Sequence, residues 1–287
     1  MGTLRLDVGR TPLASEHQRL LETALKRGPV APEPPPGARV DLSGYPAAAV
    51  ERARGTWRKR IAHEHGSAAV FSRLLPQLME AEAPLELQTV VLRMSMDELR
   101  HAALCAAVTE ALGADPVVEV DLATRPLPEH AGCAPVERAL RNVTFACCLS
   151  ETVSVGLLTA EKEETTEPLI RPVVEQLAAD EVLHARFGWI WLATAWPSLD
   201  ATQKERFADW LKLGFASLER SMLENMPHGD GDPAIAEAAA RLGVLDSGEA
   251  REILRDTVET IIVPRLEDHG VPAARCWRER GAATRRG

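Results

Sequence analysis

The segment Asp180-Glu181-Val182-Leu183-His184 repeats the pattern of Asp97-Glu98-Leu99-Arg100-His101, and these two words decide how the rest of the chain is read. On an α-helix, residues i and i+3 share a face, so each Glu-x-x-His aims one carboxylate and one imidazole at a single point. A further glutamate precedes each word at a similar distance: Glu64 lies 34 residues before Glu98, and Glu151 lies 30 residues before Glu181. Helices that bring these segments together place four carboxylates and two imidazoles in one interior. That is the ligand set of a dinuclear metal site in a four-helix bundle.

Working outward, apolar residues recur at three- and four-residue steps through four long segments between Pro46 and Pro197. The first segment is expected over 46–80, with Ile61, Glu64, Ala68, Phe71, Leu75 and Leu78 on one stripe and Pro76 kinking or shortening its end. The second opens at Pro84, carries Leu87, Val91, Met94, Glu98, His101, Cys105 and Val108, and ends at Gly113, which suits a left-handed cap. The third opens at Pro135 and carries Val136, Leu140, Thr144, Glu151, Val155 and Leu158. The fourth starts between Pro168 and Pro172 and continues through Leu177, Glu181, His184, Gly188 and Trp191 to Trp196-Pro197. In every segment the polar residue falls inside the apolar stripe. Burial there strips a carboxylate of water, and a bound cation is the natural compensation.

Short turns are expected between the first and second helices and between the third and fourth. Residues 114–134, rich in Pro, Asp and Val, can span roughly 70 Å when extended, ample for a crossover along a bundle edge. The expected fold is therefore all-α: a four-helix bundle over 46–197 with a long crossover. Residues 1–45 form an N-terminal extension, with a short helix around Ser15–Lys26 and a stiff Pro-rich linker over 29–37. Residues 198–287 form a C-terminal helical extension of three helices with a flexible tail after Arg278.

The 287 residues are 45% apolar with a net charge of −9, which argues against a general nucleic-acid binder and offers no basic membrane-surface patch. No run of 18 apolar residues occurs, and Met1–Arg10 lacks a signal-peptide core, so a cytoplasmic location without membrane partners is expected. Five cysteines, without Cys-x-x-Cys spacing, read as reduced thiols.

Carboxylate oxygens and imidazole nitrogens suit iron and manganese. Glu64, Glu98, Glu151 and Glu181 carry a charge near that which balances two divalent ions, and His101 and His184 supply one nitrogen to each. Two carboxylates can bridge the ions, which leaves open positions for dioxygen. A ligating imidazole usually donates its second N–H to a carboxylate. Asp97 is accordingly expected to orient His184, and Asp180 to orient His101; the alternative is that both are helix-surface residues. Thr144, Cys147, Cys148, Ser154 and Val155 lie within a turn or two of Glu151 and either line a substrate or oxygen pocket or are small core residues. Glu161, Glu163, Glu164 and Glu167 read as a solvated helix end, and His130 as a surface residue. Gly156 reads by default as a tolerated helix glycine, with a π-bulge or a close helix contact as the other options.

On Glu64, Glu98, His101, Glu151, Glu181 and His184, spread over about half the chain, the sequence resembles the ferritin-like superfamily of dinuclear iron carboxylate proteins. The resemblance is strongest to bacterial ferritin-like domain proteins and names no substrate. Departures narrow it. Leu177 stands where the arylamine N-oxygenase branch carries an additional His. The single tyrosine, Tyr45, lies outside the expected core, unlike a radical-bearing reductase tyrosine. Five scattered cysteines do not build a rubrerythrin-type Cys₄ iron domain, and the chain is longer than a cage-forming ferritin.

The resemblance implies an oxygen-activating diiron oxidase or oxygenase. Two irons, or a manganese and an iron, are its cofactors and dioxygen its co-substrate. Its partners would be a small organic substrate, an electron-donor protein and, in a homodimer, a second copy. Two other readings stand beside it: iron oxidation or peroxide detoxification, and a non-enzymatic helical protein with a structural or vestigial metal site.

Overall fold

The structure is a computed structural model that describes residues 11–16, 19, 34–35, 37–119, 126–226 and 232–283. Among these residues there are helices and connecting loops, and no strand. Most of the expected Ser15–Lys26 helix, most of the 29–37 linker, and residues 284–287 of the tail lie outside the described residues.

Helix α1 runs Ala47–Glu80 and α2 runs Leu85–Ala111. Pro76 sits inside α1, and the helix continues past it for its last turn. The chain then reverses in a tight turn, with Glu82 at φ 53° and Ala83 donating to the Leu78 carbonyl at 2.9 Å. α2 ends as expected at Gly113, whose φ of 75° suits the residue without a Cβ, with Ala114 donating back to Thr109.

The third rod, Pro135–Glu164, is helical over 30 residues but not uniform. It comprises α3 (Pro135–Val143), a π-helical stretch (Thr144–Glu151) and α4 (Thr152–Glu164). By length and composition this rod could cross a membrane. In the fold it is an interior helix: Leu140, Val143, Cys147, Cys148, Leu149 and Val153 are all fully buried. The fourth rod is α5, Arg171–Ala195.

α1 packs along α2, and α4 with the π stretch packs along α5. α2 and α5, which carry the two Asp-Glu-x-x-His words, also touch each other. One apolar cluster gathers Phe71, Leu78, Leu87, Met94, Leu140 and Phe187. A second gathers Trp57, Ile61, Leu104, Val108, Val174 and Leu177. These come from opposite halves of the same helices, and the acidic and histidine side chains occupy the layer between. Each large side chain fully buried in the clusters contributes roughly 1.5–3 kcal/mol, which is the stability that carries a polar layer.

The C-terminal part wraps these rods. α6 (Ala201–Asn225) opens with an Asp200–Gln203 capping box and packs on α3 and the π stretch. α7 (Pro233–Arg241) lies on α1, where Trp57 Nε1 donates to the Leu242 carbonyl at 2.9 Å. The last of the three expected C-terminal helices is broken into α8 (Ser247–Thr257), a second π turn (Val258–Ile262) and α9 (Val263–Asp268). A further helix, α10 (Ala273–Ala283), covers part of the chain expected to be a tail. It escapes the sequence reading because four of its eleven residues are charged, Gly281 interrupts it, and no apolar stripe marks it. Its few apolar side chains do the anchoring: Cys276 is buried and Trp277 packs edge-on to Phe215 at 5.3 Å.

Candidate metal centre

Glu64 of α1, Glu98 and His101 of α2, and Glu181 of α5 offer ligand atoms within 4.8 Å of one another. Glu98, Glu151, Glu181 and His184 form a second such group. All six residues singled out in the sequence are therefore brought together. Glu98 and Glu181 belong to both groups, the position a bridging carboxylate needs.

The i, i+3 spacing does what helix geometry requires. His184 Nδ1 lies 2.8 Å from Glu181 Oε2, and 3.0 Å from Glu98 Oε1 across the helix pair. His101 Nδ1 lies 3.5 Å from both Glu64 Oε2 and Glu181 Oε1. The two imidazoles are fully buried with centroids 6.0 Å apart. Their Nε2 atoms face the aspartates in the crossed pattern expected. His101 Nε2 is 3.1 Å from Asp180 Oδ2, a hydrogen bond, whereas His184 Nε2 is 3.8 Å from Asp97 Oδ2, an ion-pair distance only. Arg100 ties the two aspartates together, reaching Asp97 at 2.9 Å and Asp180 at 2.6 Å. Arg93 also grips both oxygens of Asp97, and Gln176 donates to Asp180 at 2.8 Å.

Electrostatics mark the layer as built for positive charge. Two carboxylates under 5 Å apart repel by about 3–4 kcal/mol at an effective dielectric of ~20. Burial, opposed by the His184 hydrogen bond but reinforced by the Glu181 and Glu64 charges, lifts Glu98 to about 9. Burial and the Glu181 and Glu98 carboxylates hold Glu151 well above the usual carboxylate range. For His101, burial works against the charged form. The Asp180 hydrogen bond and the Glu64 and Glu181 carboxylates outweigh it and lift the group to about 10. Asp180 is lowered to about 2: burial raises it, and the His101 and Gln176 hydrogen bonds and the Arg100 charge overcome that.

One inward atom, His101 Nδ1, is buried without a hydrogen-bond partner. An imidazole nitrogen left without a partner in such a layer, beside four carboxylates, fits divalent iron or manganese. Glu64 with His101 would serve one ion, Glu151 with His184 the other.

The π stretch decides what surrounds Glu151. Its wider turn is marked by Ser150 Oγ donating to the Phe145 carbonyl, five residues back, at 3.1 Å. It lies against α5 at Gly188, where a Cβ would meet Cys147 Cβ at 2.5 Å and the Cys148 nitrogen at 2.9 Å. The neighbours of Glu151 are therefore not those of an α-helix, and the expected pocket moves. Thr144, Cys147 and Cys148 are fully buried in helix packing, and Ser154 lines neither the cavity at Glu151 nor the groove at Gly156. Val155 lines a separate groove with Gly156, Arg186 and Arg265. The cavity that meets Glu151 holds about 480 Å³ and is walled by Val70, Phe71, Phe145, Ala146, Ser150, Trp210 and Leu213 among others.

Other readings change as well. His130 is not a surface residue; it is half-buried in the wall of that cavity. Glu161 is not solvated; it is 6% exposed and ion-paired with Arg60 across the helices. Gly156 is a close contact, since a Cβ there would meet Thr257 Oγ1 of α8 at 2.8 Å. The sequence matches no known protein-family model and no curated protein, so the site defines its class by its own geometry: a helical protein with a buried four-glutamate, two-histidine cluster.

Proposed function

We propose that this chain is a ferritin-like dinuclear iron oxidase or oxygenase that activates dioxygen against a small organic molecule. The observation that carries the reading is the contact between the cluster and a mostly apolar cavity: Glu151 is at once a candidate ligand and part of the cavity wall. A centre that only oxidises iron needs a narrow polar entry, whereas an organic substrate needs room and carbon surface. Two bound irons would supply electrons to dioxygen and oxidising power to a C–H or N–H bond.

The protein's share is geometry and protons. Glu98 and Glu181, which belong to both ligand groups, would be shared between the two ions. Asp180 fixes the His101 ring so that Nδ1 faces inward, and Asp97, held by Arg93 and Arg100, faces Nε2 of His184. Phe71 lies edge-on to His184 at 5.3 Å and lines the cavity, which keeps bulk water off that imidazole. Glu98 holds a proton near neutral pH in the cation-free protein and releases it when an ion arrives.

The test is anaerobic Fe(II) titration followed by oxygen uptake, in wild type and in Glu98→Ala/Glu181→Ala. Two irons bound per chain in wild type and none in the double variant support the centre. Oxygen consumption that rises with organic compounds supports the oxygenase. Many irons oxidised per site with no response to any organic compound would assign detoxification instead, and indifference to Fe(II) would leave only a structural role.

A further inference from the structure

We infer that the cavity beside Glu151 selects an uncharged, ring-sized ligand carrying an N–H or O–H donor, and that His130 is the residue that reads the donor. This rests on the organic oxidation proposed above and names its substrate class.

The argument begins with Asn142. Its Nδ2 donates to Gln77 Oε1 at 2.8 Å and to the Pro128 carbonyl at 2.9 Å. Both amide protons are thereby used, so the remaining atom, Oδ1, can only accept. His130 Nε2 lies 3.0 Å from Asn142 Oδ1 and must therefore carry the proton of that bond. A neutral imidazole with hydrogen on Nε2 leaves a lone pair on Nδ1. Burial, with help from the nearby Arg141 and Arg138 charges, lowers the His130 pKa, so the ring is neutral near pH 7. Nδ1 is then an acceptor. The position is enforced at a backbone cost: His130 has φ 48°, the left-handed region that few non-glycine residues occupy and that is retained where surroundings impose it. Trp210 holds the imidazole edge-on at 5.8 Å.

The rest of the cavity sets shape and charge. Its volume of about 480 Å³ falls within the roughly 300–1,000 Å³ of small-molecule sites. Trp210, Phe71 and Phe145 offer faces and edges to a flat ring. Among the described lining residues there is no lysine or arginine, so an anion finds no countercharge there. Gly214 of α6 leaves room at the wall: a Cβ there would reach only ordinary contact with Trp210 and Leu149, so a larger side chain would grow into the space.

The test is calorimetric binding of 4-ethylphenol, 4-ethylanisole and 4-ethylbenzoate to the full chain, without turnover. One ordinary hydrogen bond is worth about 1 kcal/mol, so the phenol should bind about fivefold more tightly than its methyl ether, and the benzoate should not bind. His130→Gly suits the left-handed backbone and removes the acceptor. It should bring phenol and anisole within about twofold of each other. Gly214→Leu should abolish binding of both rings while leaving His130 in place. Equal binding of phenol and ether in wild type, selectivity that survives His130→Gly, ring binding that survives Gly214→Leu, or no ring binding at all would each overturn the inference. Donor-selective binding in a protein that fails the Fe(II) and oxygen tests would defeat the oxygenase reading and leave this recognition intact.

Discussion

His101 is clamped between Asp180 and the glutamates: its Nε2 hydrogen-bonds Asp180 Oδ2 at 3.1 Å while its Nδ1 faces Glu64 and Glu181 at 3.5 Å. His184 lacks an equally close clamp, since Asp97 stands 3.8 Å from its Nε2. Asp180→Asn is therefore expected to weaken metal binding by about 10–100-fold, the usual cost of losing an orienting carboxylate, and Asp97→Asn by less. Cobalt(II) titration followed by visible absorption separates the two variants; equal losses would refute the asymmetry.

Metal binding should strengthen as pH rises. Glu98 near 9 and His101 near 10 hold protons that an ion must displace, so loading at neutral pH releases protons and apparent affinity climbs until both groups are free. Calorimetry in buffers of different ionisation enthalpy counts the protons released. A release of zero at pH 7 would exclude displacement of both.

The same two groups make the cation-free protein pH-sensitive. Both have folded-state values above their ordinary ones of 4.5 and 6.5, so their contribution is full below those values and is lost as pH rises through about 9 and 10. Asp180, depressed from 3.8 to about 2, acts oppositely: its contribution is present above pH 3.8 and is lost as pH falls through about 2. Between pH 6.5 and 9.5 the metal-free melting temperature should fall, and the decline should flatten in metal-loaded protein, where the cations balance the carboxylates. Differential scanning calorimetry across that range checks the slope.

Gly188 is the point where α5 meets the π stretch. A Cβ 2.5 Å from Cys147 Cβ and 2.9 Å from a backbone nitrogen has nowhere to go, so Gly188→Ala should cost about 1–3 kcal/mol or more and push Glu151 away from Glu181. Gly55→Ala in α1, where a Cβ meets nothing within 4 Å, is the control and should stabilise by about 0.5–1 kcal/mol. Urea unfolding measures both. Fe(II) stoichiometry should fall below two per chain in Gly188→Ala alone.

The six clustered residues were legible because the i, i+3 rule is local: Glu98 and His101, or Glu181 and His184, meet whatever the rest of the chain does. The helix starts at Pro84 and Pro135 and the stop at Gly113 were legible for the same reason. What failed was anything that needed the α-helical register to persist. The eight π-helical residues Thr144–Glu151 shift the register, so Cys148 and Thr144 turn into the core and Ala146 and Ser150 reach the cavity instead. No motif in Thr144–Glu151 announces that change; the nearest hint, Gly156, lies beyond it and serves the contact with Thr257. His130 was missed because its role depends on Asn142, Gln77 and Trp210, which join it only in three dimensions.

Glu161 was misread for a related reason: an acidic run with one lysine looks solvated, yet only its partner across the bundle decides the matter. Arg60, 17% exposed at the side chain, ion-pairs with Glu161, 7% exposed, and also lies over the Trp57 ring at 4.6 Å. Breaking such a pair strands a charge away from water, so Arg60→Met should destabilise by about 3–5 kcal/mol. Replacing both partners removes the stranded charge, and Arg60→Met/Glu161→Met should recover most of that loss. The pair lies in the same interior as Glu64, whose charge supports Arg60, so a secondary weakening of the first ion position is expected in the single variant. Urea unfolding of the two singles and the double forms a complete cycle. A double variant as unstable as the sum of the singles would show that Arg60 and Glu161 act independently, and that Glu161 is held by packing rather than by its partner.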